Sequence, residues 1–159
     1  VVIVGGIAKR LEVCRCLGAT LSLNRRQTDA EERSAVIQEL THGRGADLVV
    51  EASGSMAAAL EGLRLLRHGG VLSLVGFGTP VGQMTFPPFE TVVRKNARIQ
   101  GVWVSDVRHT FQAVSLVRQR PQAFSHLVTH RFALGDATRA LEAVADRQAM
   151  KAVLLPGLG

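Results

Sequence analysis

Apolar residues along this chain fall in short runs separated by stretches with helical spacing. Val1–Val4 is a continuous apolar run ended by Gly5-Gly6, and Ile7–Leu17 then carries a helical pattern closed by Gly18-Ala19. The same alternation repeats downstream. Strands are expected at Val1–Val4, Thr20–Leu23, Ala46–Glu51, Val71–Val75 and Ala97–Trp103. Helices are expected near Ala8–Leu17, Asp29–His42, Met56–Arg67, Glu90–Asn96 and Asp106–Arg118. Strands alternating with helices of this length predict βαβ units and a parallel sheet. Leu48-Val49-Val50 and Leu72-Ser73-Leu74-Val75 are nearly unbroken apolar runs, as expected of strands covered on both faces.

Turn and cap chemistry agrees with these ranges. Asp29 precedes Glu31 and Glu32, so a capping oxygen and first-turn acids favour a helix start there. Gly43-Arg44-Gly45 and His68-Gly69-Gly70 read as glycine-rich helix ends leading into strands. Pro121 stops the long helix at or before Arg120. Beyond it the texture changes to a short strand at Leu127–Arg131, an amphipathic helix at Gly135–Arg147 and a final strand at Ala149–Leu155. The expected organisation is therefore an alternating strand–helix portion over 1–120 and a separate tail over 121–159.

An inner strand at the first residue needs a neighbour from earlier sequence, so the chain reads as the latter part of a larger protein. A hydrophobic content of 47% with 20% charged residues is a globular balance and argues against disorder. Aromatic residues make up 4%, with no Tyr, which disfavours a stacking platform for single-stranded nucleic acid. The net charge of +6 is dispersed over every helix, a pattern of solubility and not of a nucleic-acid stripe. No apolar run is long enough to span a bilayer, and no signal peptide is present, so a cytoplasmic setting is expected. Cys14 and Cys16 lie two apart on one helix and suit neither a mutual disulfide nor a shared metal; they read as buried or half-buried free thiols.

The fold expected is α/β: an incomplete doubly wound parallel sheet of Rossmann type, lacking its first strand and glycine-rich turn. A dinucleotide site on such a sheet holds the pyrophosphate on a G-x-G-x-x-G turn at a helix start. No such turn follows Val1–Val4, and Gly76-Phe77-Gly78-Thr79-Pro80-Val81-Gly82 has the wrong spacing and leads into extended chain. If Val1–Val4 is the second strand, its end should carry an acid for the ribose hydroxyls; Gly5-Gly6 stands there instead. Without that carboxylate a 2′-phosphate is tolerated or preferred, with Lys9 or Arg10 facing it. The alternative is a basic first turn facing solvent.

Arg10-Leu11-Glu12, Leu17-Gly18-Ala19, Leu40-Thr41, Gly43-Arg44-Gly45-Ala46-Asp47 and Glu51-Ala52-Ser53-Gly54 form an ordered series. Leu63–Gly70, Val75-Gly76 and Met150-Lys151-Ala152-Val153-Leu154 continue it to the end of the chain. This series resembles the zinc-type alcohol dehydrogenases of the medium-chain dehydrogenase/reductase family. The resemblance implies a nicotinamide cofactor, NAD(P), whose adenosine ribose lies beside Gly5, Lys9 and Arg10. It implies Ala52, Ser53 and Gly54 on the adenine side, Val75, Gly76 and Phe77 at the nicotinamide, and Val102 at the next strand end. Lys151 resembles the family's basic residue at the pyrophosphate, its alternative being a strand-edge lysine. It implies a tail that returns to the catalytic domain, and subunit contact around Ala97–Trp103, hence a homo-oligomer.

Zinc belongs to the other half of such a protein. A catalytic site needs three ligands from Cys, His and Asp/Glu, and His42, His68, His109, His126 and His130 are scattered, with no Cys outside one helix. No catalytic residue is assigned, and no Ser/His/Asp arrangement is supported. The leading expectation is a cofactor-positioning portion of an NAD(P)-dependent dehydrogenase, inactive alone, with cofactor affinity weak or lost. A non-catalytic binding or dimerisation module is the alternative. A different Rossmann enzyme such as a methyltransferase fits the ordered series less well. Loss of the central strand would leave two apolar edges, at Val1–Val4 and Ala46–Glu51, and such edges imply a marginal or self-associating fold.

Overall fold

The computed structural model describes Val1–Gly157; the last two positions of the expected tail lie outside the described residues. The order of elements is β1 (Val2–Gly5), α1 (Ala8–Cys16), β2 (Leu21–Asn24), α2 (Ala30–Leu40), β3 (Ala46–Glu51), α3 (Met56–Leu65) and β4 (Leu66–Leu74). A π-helical turn at Phe89–Val93 precedes β5 (Arg98–Gly101). Then follow α4 (Val107–Gln119), α5 (Pro121–Ser125), β6 (His130–Ala133), α6 (Ala137–Ala145) and β7 (Ala152–Leu155). Every strand pair is parallel, as the alternating pattern requires. The architecture is α/β of Rossmann type, with its strands in three small sheets ordered β1-β2, β3-β4-β5 and β6-β7.

Two compact units divide the chain, one formed by Val1–Gln27 with Asp106–Gly159 and the other by Thr28–Ser105. In the first unit β1 pairs with β2 from Val2↔Leu21 to Gly5↔Asn24, so both strands end side by side. Leu11 is the buried residue of α1, and Ala140, Ala143 and Ala149 are buried about α6. In the second unit Leu63, Leu66 and Leu72 form the core, with Val49, Leu74, Phe86, Val92 and Ala97 packed against them.

Three expectations are corrected. His68-Gly69-Gly70 does not end a helix but lies within β4, which begins at Leu66 with a register shift between Ala46 and Leu48 of β3. The helix ends early because Lys95 Nζ donates to the carbonyls of Leu63, Arg64 and Leu66, 2.8–3.1 Å away, taking the acceptors a further turn would use. Pro121 does stop the long helix, which ends at Gln119, and itself opens the short α5, where a missing N–H costs nothing. The penultimate strand sits later than expected, at His130–Ala133, because Thr129 and His130 both donate to the Lys151 carbonyl. Cys16 is exposed and Cys14 half-buried, and both are free.

The cap at Asp29 is as expected: its Oδ1 accepts from Glu32 N while Glu32 Oε2 accepts from Asp29 N, a complete capping box. The helix it starts is tied to α3 by Arg33, buried and bidentate on Glu61 at 2.6 and 2.7 Å. The Arg33 guanidinium also donates to the Thr28 carbonyl. Glu61 raises the pKa of Arg33, its hydrogen bond outweighing the cost of burial. Removing one partner of a buried pair leaves an uncompensated charge, at a cost of about 3 kcal/mol. Glu61→Ala should therefore speed hydrogen exchange of α2 and α3 amides while leaving β6 and β7 amides unchanged.

Candidate functional site

In open α/β sheets the ligand crevice lies at the carboxyl ends of the strands. In the second unit three such ends adjoin: Ala52-Ser53-Gly54 after β3, Val75-Gly76-Phe77 after β4, and Val102 after β5. The Val75 and Gly76 amides both donate to the Glu51 carbonyl at 2.9 Å, and Val102 N donates to the Leu74 carbonyl at 3.0 Å. The turns after β3 and β4 touch closely enough to exclude side chains. A β-carbon on Gly76 would stand 2.3 Å from Gly54 N, and one on Gly54, where φ is +70°, 2.7 Å from the Gly76 carbonyl oxygen. Only glycine at both positions lets the two backbones meet. Ala52, Ser53, Val75 and Val102 face solvent, and Phe77 is half-buried.

The residue that shapes this junction is Glu51, which sequence reasoning placed only as a strand end. It is 3% exposed. Its carboxylate accepts from Ser53 N at 2.7 Å, Ser53 Oγ at 2.5 Å, Gly54 N at 3.1 Å and Ser55 N at 3.4 Å. Ser55 in turn caps α3 by accepting from Ala58 N. The only signal in the sequence was an acid closing an apolar strand just before Ser-Gly-Ser.

Burial of Glu51 opposes its ionisation, but the Ser53 hydroxyl and the Ser53, Gly54 and Ser55 amides together hold its pKa below the ordinary 4.5. A depressed folded-state pKa contributes stability above the unfolded value, and that contribution is lost as pH falls through the folded one. Titrated from neutral pH, the Ser53, Gly54 and Ser55 amide resonances should move together with a midpoint below 4.5. In Glu51→Gln that movement should vanish, and at neutral pH the variant should be less stable by about 2 kcal/mol.

The other expected positions belong to the first unit. Gly5 ends β1; Lys9 and Arg10 lie exposed in the first turn of α1, which has no acidic residue there and no side-chain cap at Ile7. Arg10 Nη2 reaches the Ala149 carbonyl at 3.5 Å. Lys151 is exposed immediately before β7, and its carbonyl holds β6. Gly5, Lys9, Arg10 and Lys151 are thus in one unit, and Ala52, Ser53, Gly54, Val75, Gly76, Phe77 and Val102 in the other.

The strand ends fit a dinucleotide in kind. They offer backbone groups with no side chain at Gly54 or Gly76, and the Glu51 carboxylate is turned inward and satisfied by neutral donors. Zinc does not fit: among the described residues no three of His, Cys, Asp or Glu cluster as ligands. No helix of the described residues is long and apolar enough to cross a membrane.

Residues 1–119 match the family described as zinc-binding dehydrogenase. The chain is 33% identical to 5-exo-hydroxycamphor dehydrogenase of Pseudomonas putida, over 91% of this chain and 40% of that protein. It is also 33% identical to L-threonine 3-dehydrogenase of Symbiobacterium thermophilum, over 94% of this chain and 42% of the relative. The crystal structure of an alcohol dehydrogenase from Thermotoga maritima is 43% identical and superposes with a TM-score of 0.93, covering 96% of this chain and 42% of that one. The chain thus spans well under half the length of these relatives. With the parallel strands, the close glycine junction and this match over three-quarters of its length, the chain belongs to the zinc-binding dehydrogenase family.

Proposed function

We propose that the chain is the NAD(P)-binding portion of a zinc-type alcohol dehydrogenase-like oxidoreductase, supplying cofactor position and not the Lewis acid. The observation that carries this reading is the junction of Gly54 with Gly76, which brings the ends of β3, β4 and β5 into one bare backbone surface. In this reading Val75, Gly76, Phe77 and Val102 line the nicotinamide and Ala52, Ser53 and Gly54 the adenine side. Gly5, Lys9 and Arg10 stand at the adenosine ribose, and Lys151 at the pyrophosphate. Residues 1–120 act as the partial cofactor domain and 121–159 as a tail toward the catalytic domain, in a cytoplasmic protein.

The cofactor, when bound, accepts or donates a hydride at a substrate carbon. The chain's own part is to orient it: backbone groups at the strand ends fix the ring, and the packed turns keep that surface rigid. A G-x-G-x-x-G turn is absent from this sequence, so the affinity of the chain for nucleotide is weak. Alone, the chain is inactive.

Titration with NADPH or NADH should shift the amide resonances of Ala52–Gly54, Val75–Phe77 and Val102. Gly76→Ala should abolish those shifts by forcing the two turns apart. Shifts confined to other segments, or none at nucleotide concentrations of about 10 mM, would overturn the reading. Turnover of a short alcohol by the chain alone would overturn the division of labour.

A second reading, a dimerisation module, is favoured by one observation. Among the described residues β5 pairs with β4 along one edge only, all four of its residues are exposed, and Trp103, just beyond it, is 76% exposed. An unpaired edge flanked by Ile99, Val102 and Val104 is a template for a second copy of the same strand. Sedimentation should report a homo-oligomer, and Ile99→Lys should shift it to monomer.

A further inference from the structure

Gly5 closes β1 and Gly6 follows it, and neither adopts the positive φ that would make glycine necessary for the backbone. The space beside each is already filled. A β-carbon on Gly5 would stand 3.0 Å from Leu11 Cδ2. One on Gly6 would stand 3.0 Å from Arg25 Nε and 3.5 Å from Arg25 Cγ and Cζ. The bare strand end is therefore a seat for the Arg25 side chain, which lies across Gly6 where an acidic side chain would otherwise project.

The parallel register delivers Arg25 to this point. Gly5 pairs with Asn24, and Arg25 N donates to the Gly5 carbonyl at 2.9 Å. Arg25 is exposed, and among the described residues its guanidinium has no carboxylate partner. Two residues beyond Gly6 the helix α1 begins, with Lys9 in its first turn and no acid there. Lys9, Glu12, Arg15, Asn24 and Gln27 border an open groove of about 530 Å³ beside α1, two cations to one acid. Arg10, by contrast, is directed to the Ala149 carbonyl.

A dinucleotide-binding strand end holds a free ribose 2′-hydroxyl with an acid and a 2′-phosphate with a nearby arginine. A planar guanidinium can give a phosphate two parallel hydrogen bonds, where an ammonium offers only a point charge. We propose that Arg25, seated on Gly6, is the residue that selects NADP(H) over NAD(H) by holding the 2′-phosphate of the adenosine ribose, with Lys9 as the supporting cation. The proposal rests on the cofactor reading given above and extends it to a choice of cofactor. Arg10 has no direct part in that choice.

The test compares adenosine 2′,5′-bisphosphate with adenosine 5′-monophosphate by calorimetry on the 159-residue chain at low ionic strength. The bisphosphate should bind at least about tenfold more tightly, one charge-assisted contact being worth that factor or more. Arg25→Ala should bring the two within about twofold by weakening the bisphosphate alone. Arg25→Lys should keep part of the preference, and Arg26→Ala all of it. Gly6→Asp, which displaces the guanidinium and adds a carboxylate, should favour the monophosphate. Equal affinities in the unaltered chain, or a preference that survives Arg25→Ala, would overturn the assignment while leaving the cofactor reading intact. Binding of neither nucleotide would overturn the cofactor reading and this assignment with it.

Discussion

Four hydrogen bonds onto one buried carboxylate organise the second unit. Glu51 ends β3, and both halves of the residue are engaged at once: its carbonyl takes the Val75 and Gly76 amides, and its carboxylate takes the donors of Ser53, Gly54 and Ser55. The first set aligns the end of β4 beside β3. The second bends the chain away from the sheet and points it into α3, whose first turn Ser55 then caps. A charge left unpaired at 3% exposure would be costly. The turn can therefore take few other shapes while Glu51 stays ionised, and the position of α3 over Val49 and Leu72 follows from it.

Much of this fold was legible in the sequence where local chemistry decides local structure. β3 has the bounds its apolar run implied, and α2 starts at the capping Asp29. Legibility failed where a distant residue overrides a local signal. His68-Gly69-Gly70 has helix-ending composition, yet the helix already ends at Leu65, because a lysine some thirty positions later fills the carbonyls and β4 pairs from Leu66. Gly45 takes part in the same change. At φ +90° a β-carbon there would meet Arg67 N and Leu65 O at 2.9 Å, so β3 enters hard against the start of β4. No window of sequence carries that contact.

The candidate site shows the same division. The resemblance to the zinc-type alcohol dehydrogenases picked out Ala52-Ser53-Gly54 and Val75-Gly76-Phe77, and parallel strands bring such strand ends side by side. Glu51 and Arg25 did not stand out, for opposite reasons. Glu51 is a polar residue closing an apolar strand, and its sequence neighbours give no measure of its burial. Arg25 is one of many dispersed arginines, and only the pairing of Gly5 with Asn24 moves it beside Gly6, far from it along the chain.

On the proposed reading, the ligand and partner surfaces adjoin at these strand ends. Val102 N on the Leu74 carbonyl is the last rung between β4 and β5, and the backbone then turns sharply, with Val104 at φ +48°. A β-branched residue in that region is strained, at a cost of about 1–3 kcal/mol. The exposed Trp103 and Val104 side chains recover none of that cost by burial. Such a conformation persists only if neighbouring structure requires it, and here the requirement is the ladder that ends at Val102. Anything that covers Trp103 and Val104, a nicotinamide ring from one side or a second β5 edge from the other, removes apolar surface from water at a place already held in shape. The strained turn thus links the two proposed readings of this surface: either occupant would cover the same backbone.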